Sequence, residues 1–200
     1  MYQLLRYGVA PSVALFALSA NADLQQELDN LAPGSSFQLP PETLSPLAIR
    51  VPGVSVSCAP ETVIDGGGHG NAVEILAEAI TFSGCQVRNW GKDLNELDAG
   101  IFVAREAQGS VVENNRLQGP AFGVWLDATP DVTVRENHIR GDTSLRSQDR
   151  GNGIHLFNTT GALIEGNDIS ETRDAIYIET ANRNTIRGNV MSDLRYGIHY

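Results

Sequence analysis

Four asparagines, Asn115, Asn137, Asn167 and Asn189, follow one another at steps of 22, 30 and 22 residues. Each sits in the same local pattern: V-E-N-N-R-L over 112–117, V-R-E-N-H-I over 134–139, I-E-G-N-D-I over 164–169 and I-R-G-N-V-M over 186–191. The longer step is the shorter one with eight residues inserted. A fixed period of this size marks a solenoid, in which each repeat buries its apolar face only by stacking on its neighbours. A second register repeats in parallel, its last two steps again 22 residues: Gly100-Ile-Phe-Val, Gly123-Val-Trp-Leu, Gly153-Ile-His-Leu, Ala175-Ile-Tyr-Ile and Gly197-Ile-His-Tyr. Short β-branched runs separated by turn residues, with no helical pattern between them, exclude doubly wound and barrel α/β folds. The reading is all-β: a right-handed parallel β-helix of about 22 residues per coil. Each coil is expected to carry a glycine-led strand, a turn, a second strand ending at the ladder asparagine, and a return. Coils stack at about 4.8 Å, so equivalent residues form columns, and the asparagines are expected to hydrogen-bond along theirs.

The segment Ile80–Val87 aligns with Ala162–Ile169, which places Cys85 on the asparagine rail, 30 residues before Asn115. Before the repeats, Leu24, Leu28 and Leu31 share one helical face, and Pro33-Gly34 ends the run. A helix there would cap the open first coil. Period-two alternation starts with Val54, Val56 and Cys58, so residues 23–53 read as the cap and 54–200 as β-helix repeats. Tyr200 falls within a glycine-led strand, which leads us to expect further coils beyond it. Residues 1–22 read as a signal peptide: Arg6, then an apolar stretch from Val9 to Leu18, then Ala20-Asn21-Ala22 as the cleavage site. Export implies an oxidising compartment, where a Cys58–Cys85 disulfide is the first reading and two buried thiols the alternative. No later segment is long and apolar enough to cross a membrane. A formal net charge of −10 argues against binding nucleic acid or anionic lipid.

Alternation along the glycine-led strands points Phe102, Trp125, His155, Tyr177 and His199 away from the core, in one column. Such a column stabilises neighbouring coils by stacking, or forms an exposed stripe that binds a sugar, a protein or a metal. His155 and His199 are the candidate metal residues. They lie two coils apart, about 9.6 Å along the stack, with Tyr177 between them. A site with one histidine, completed by a partner, therefore suits the spacing better than a site closed by both. Asp127 and Glu179 lie two residues further along their strands and could orient a histidine. Met191 occupies an apolar ladder-side position; His69 and His138 are imidazoles outside the column. The eight-residue insertion falls within Gly141–Gly151. Loops of this kind on one face of a solenoid often bind partners, so Arg146, Asp149 and Arg150 join Trp125 and Tyr177 as candidate partner contacts.

The runs R-S-Q-D-R-G-N-G-I-H-L-F (146–157), R-D-A-I-Y-I (173–178) and L-R-Y-G-I-H-Y (194–200), with F-G-V-W-L-D (122–127) and the two cysteines, resemble the NosD family. Members of that family are usually much longer. The resemblance implies a periplasmic, non-enzymatic accessory protein for maturation of nitrous oxide reductase, acting in copper-site assembly. The partners it implies are an inner-membrane ABC permease and its ATPase, a copper chaperone, and the reductase. It marks His155, Tyr177 and His199 as possible copper or partner contacts. The alternative on the same fold is a polysaccharide lyase or uronate C5-epimerase acting on an acidic polysaccharide. There Asp127, His155, Tyr177 and Arg150 would supply acid, base and carboxylate neutralisation. A third reading is an interaction scaffold with no metal of its own.

Overall fold

Three parallel sheets of seven strands each run the length of the stack in the computed structural model, which describes residues 22–200. The first sheet extends from Ser36–Leu39 to Thr185–Arg187, the second from Thr43–Leu44 to Val190–Ser192, and the third from Leu47–Ile49 to Tyr196–His199. Every strand pairs in parallel with its equivalents in the neighbouring coils. Val112, Val134, Ile164 and Ile186 align in the first sheet, Leu117, Ile139, Ile169 and Met191 in the second, and Val124, Ile154, Ile176 and Ile198 in the third. This is the expected right-handed parallel β-helix. The return segment of each coil proves to be a strand of its own, so a coil has three strands.

The solenoid also starts earlier than the alternation indicates. Ser36–Leu39, Thr43–Leu44 and Leu47–Ile49 already supply the first strand of each sheet. Pro40, Pro41 and Pro46 shorten these strands and hide their period. Residues 22–29 are helical, and Leu28 is buried against the end of the core beside Leu24 and Leu31. The Gln25 side chain donates to the Ala48 carbonyl (2.8 Å) and accepts from the Ala48 N–H (3.0 Å). It thus occupies hydrogen-bonding groups that an edge strand would leave open. The proposed signal peptide lies outside the described residues, apart from Ala22.

The corner between the first and second sheets sets the register. One residue there takes a left-handed conformation in successive coils: Gly84, Asn114, Glu136, Gly166 and Gly188. The next residue turns its side chain into the corner. Asn137 Oδ1 accepts from both the backbone N–H and the Nδ2 of Asn115, each at 3.0 Å. Asn137 Nδ2 donates to the Val112 carbonyl (2.9 Å) and to Asn167 Oδ1 (3.0 Å). Asn167 repeats the pattern onto Asn189. Cys85 holds the same position, its N–H donating to Asn115 Oδ1 at 3.0 Å. Its sulfur is bonded to Cys58, with the Cα atoms 5.0 Å apart. A second corner, before the third sheet, needs glycine for a different reason: a Cβ on Gly123 would come within 2.5 Å of the Gly153 carbonyl oxygen in the next coil.

Replacing Asn137 with Ala would orphan the buried Asn115 N–H and remove a second donor from the Val112 carbonyl. The expected loss is about 2–3 kcal/mol, or a fall of about 5–10 °C in melting temperature. Asn189→Ala, at a half-exposed rung, should cost about 1 kcal/mol. Equal losses in the two variants, measured by thermal unfolding, would contradict this account of the ladder.

Candidate functional site

On the outer face of the third sheet, strand pairing aligns Glu74, Phe102, Trp125, His155, Tyr177 and His199 in one column. Ring centroids are 4.0 Å apart for Trp125–His155, 4.8 Å for His155–Tyr177 and 4.6 Å for Tyr177–His199. The column is the one that alternation predicts, but it is not the open stripe expected. Trp125 is 4% and His155 5% exposed.

The cover comes from the corner between the second and third sheets. Four residues take the chain from Gln118 to Phe122, whereas eleven separate the paired positions Arg88 and Ala99. Six lead from Gln118 to Val124, against fourteen from Arg140 to Ile154. Two insertions therefore leave the stack at the same corner, two coils apart. The earlier one brings Leu94 and Leu97 onto Phe102, Phe122, Trp125 and Phe157, forming a second, smaller apolar cluster outside the coil. Burial of Trp125 removes it from the surface that a partner could touch. Phe122 stands at the corner, edge-on to both Trp125 (4.7 Å) and His155 (5.3 Å).

Beside the covered part of the column lies a cleft of about 240 Å³, walled by Leu94, Phe122 and Arg150 and floored by His155, Tyr177 and His199. The two histidines have different environments. His155 Nδ1 accepts from the Asn152 amide (3.2 Å), and Nε2 donates to Glu179 (3.0 Å). An amide donor on one side and a carboxylate acceptor on the other select the neutral Nε2–H tautomer. Burial pushes the His155 pKa down to about 4, against the opposing pull of Glu179. His199 Nδ1 donates to Asp174 Oδ2 at 2.9 Å. The Asp174 carboxylate is wholly buried and held by two hydrogen bonds from Arg195, at 2.9 and 2.6 Å. Burial alone would raise the Asp174 pKa, but the bonds from Arg195 and His199 hold it below the usual range. The His199 side chain is 34% exposed, and its Nε2 has no hydrogen-bond partner among the described residues.

The remaining candidates divide. Tyr177 lies between the two histidines as the spacing requires, so the structure does not bring their rings together. Glu179 does orient a histidine; Asp127 lies outside the cleft. Arg146 and Asp149 pair with each other at 2.6 Å, while Arg150 turns inward and donates to the carbonyls of Leu145 and Glu171. Met191 packs against the core. His138 pairs with Asp168, and His69 is exposed in its turn. Both cysteines are consumed by the disulfide. Among the described residues, no three His, Cys, Asp or Glu side chains are grouped to hold a metal ion. Asn152, Arg173, Asp174 and Arg195 are not singled out by the sequence patterns. The one signal they carry is the 22-residue step from Arg173 to Arg195.

The His155 environment predicts a pH dependence. Because its folded pKa lies below that of the unfolded chain, the unfolded state takes up the proton first. The associated stability is intact above about pH 6.5 and is lost as pH falls towards about 4, about 3 kcal/mol in all. His155→Phe keeps an aromatic ring and removes the titration. Urea unfolding at successive pH values should show the variant losing about 3 kcal/mol less than wild type between pH 7 and pH 4. Parallel profiles would contradict the neutral, buried assignment.

The family model described as "Periplasmic copper-binding protein (NosD)" matches residues 135–200, the segment that carries His155, Asp174, Tyr177 and His199. A "Probable ABC transporter binding protein NosD" of Pseudomonas aeruginosa is 53% identical over 117 residues, which is 58% of this chain and 27% of the relative. Its counterpart in Stutzerimonas stutzeri is 42% identical over 121 residues, 60% of this chain and 28% of the relative. The chain thus spans about a quarter of the length of these relatives. Among solved structures, a GH87 α-1,3-glucanase from Streptomyces thermodiastaticus superposes with a TM-score of 0.64 at 20% identity, covering 90% of this chain and 39% of that one. An alginate lyase from Paenibacillus gives 0.59 at 14% identity, covering 86% and 74%. At such identities these two show a shared fold alone. The resemblance to NosD carried by the sequence is borne out by the family model and by both relatives.

Proposed function

We propose that this chain is a periplasmic accessory protein for nitrous oxide reductase maturation, taking part in copper-site assembly. In this reading it works with an inner-membrane ABC permease and ATPase, a copper chaperone and the reductase, and performs no catalysis itself. The observation that carries the reading is a coincidence of position. The segment matching the copper-binding family model is also the segment that forms the cleft floor.

Copper here is cargo. His199 is the residue of this chain best placed to touch it. Asp174 holds the ring through Nδ1–H and leaves the Nε2 lone pair facing outward, as carboxylates do behind metal-binding histidines. One imidazole, with no thiolate and with the Met191 sulfur packed inward, suits a passing contact rather than a store. A partner would complete the coordination. His155 is a positioning residue in this account, because both of its nitrogens are already hydrogen-bonded.

A second reading, a lyase or epimerase, is favoured by one feature: Tyr177 and His155 face a cleft lined by three arginines. Unsaturated or epimerised products from alginate or pectate would establish it in place of the first.

The leading reading is tested in cells that make nitrous oxide reductase. Wild type should restore copper to the reductase in a strain lacking the protein. His199→Ala should lower copper per reductase several-fold, and His155→Phe should leave it near wild type. Full copper content with His199→Ala would remove this residue from the account.

A further inference from the structure

The charges lining the cleft do not cancel. Arg195 is neutralised by Asp174, and the Glu179 carboxylate lies against a neutral imidazole. Arg150 has no carboxylate partner among the described residues. Three of its N–H groups donate to backbone carbonyls, and a guanidinium has five. Arg173 makes no side-chain hydrogen bond or ion pair among the described residues, and its buried Nε–H has no partner. Two unneutralised guanidinium groups in one small cleft, on a chain of net charge −10, form a local exception. Asn152 adds a second open valence. It is 6% exposed and its Oδ1 has no partner. The Nδ1 lone pair of the neutral His155 ring keeps Nδ2 on its side, so Oδ1 is the end left open.

We propose that the cleft binds a small monocarboxylate that also carries a hydroxyl or amide donor, such as a hydroxy acid or a single sugar acid. The planar fork of Arg173 matches a carboxylate, with the remaining N–H groups of Arg150 beside it. The ligand's donor group would meet Asn152, and its carbon skeleton would lie against Leu94, Phe122 and the Tyr177 ring. Glu179 and Asp174 line the same cleft and disfavour a dianion, which separates a carboxylate from phosphate. A volume of about 240 Å³ holds one such molecule. This inference does not depend on the copper reading, and copper content of the reductase plays no part in its test.

Calorimetric titration of the purified protein with galacturonate, lactate and inorganic phosphate decides it. Galacturonate or lactate should bind wild type at least about tenfold more tightly than phosphate. Arg173→Gln should weaken the carboxylate about tenfold or more, the loss expected for one charge-assisted contact. Arg173→Lys, which keeps the charge but not the fork, should fall between the two and carries the test if the glutamine variant does not fold. Arg105→Gln, exposed and outside the cleft lining, should leave affinity within about twofold of wild type. Absence of carboxylate binding at millimolar concentration, phosphate binding as tightly, or equal affinity in the Arg173 variants would each overturn the proposal.

Discussion

The amide ladder is the interaction on which the rest of the structure depends. Each rung must present its Oδ1 about 3 Å from the N–H of the rung before it, inside a corner that excludes water. Slipping a coil by one residue would orphan several buried donors and turn every inward side chain outward. From Cys85 onward, where the ladder runs, no coil carries extra length between the first and second sheets, whereas the two coils before it do. Both long insertions instead emerge at the corner before the third sheet, where no such ladder runs. What the ladder forbids in one place, it concentrates in another, and the cleft stands where the two insertions meet the outer face of the third sheet.

That placement gives one column of rings two characters. Towards its middle, Leu94, Leu97 and Phe122 cover Trp125 and His155, so the imidazole is dry, neutral and fully hydrogen-bonded. One coil beyond Tyr177, His199 is the last ring of the column among the described residues. It meets solvent, with Asp174 and Arg195 fixing its ring from behind. The same residue type in the same register thus becomes a structural element at one rung and an available donor at another. The difference is made by burial and by what faces Nε2.

The parts legible in the sequence are those governed by local period. Strand alternation gave the ring column. The ladder spacing put Cys85 beside Asn115 and located the insertion before His155. The first coil was hidden because prolines cut its strands to two to four residues, too short to show alternation. Burial of Trp125 was hidden for a different reason. Leu94 and Leu97 come from an aperiodic loop, and nothing in their spacing says which face they cover. Asp174 alternates with its neighbours as an unremarkable strand residue, and only the fold reveals the Arg195 and His199 partners that keep it charged while buried.

The central claim is that this cleft holds one closed histidine and one open one. Imidazole nitrogen NMR with a closed-shell monovalent metal, Cu(I) or Ag(I), addresses it directly. The account predicts that the His199 Nε2 resonance moves on addition of metal while both His155 nitrogens keep the signature of a neutral Nε2–H ring. Metal-induced shifts at His155, or none at His199, would contradict it.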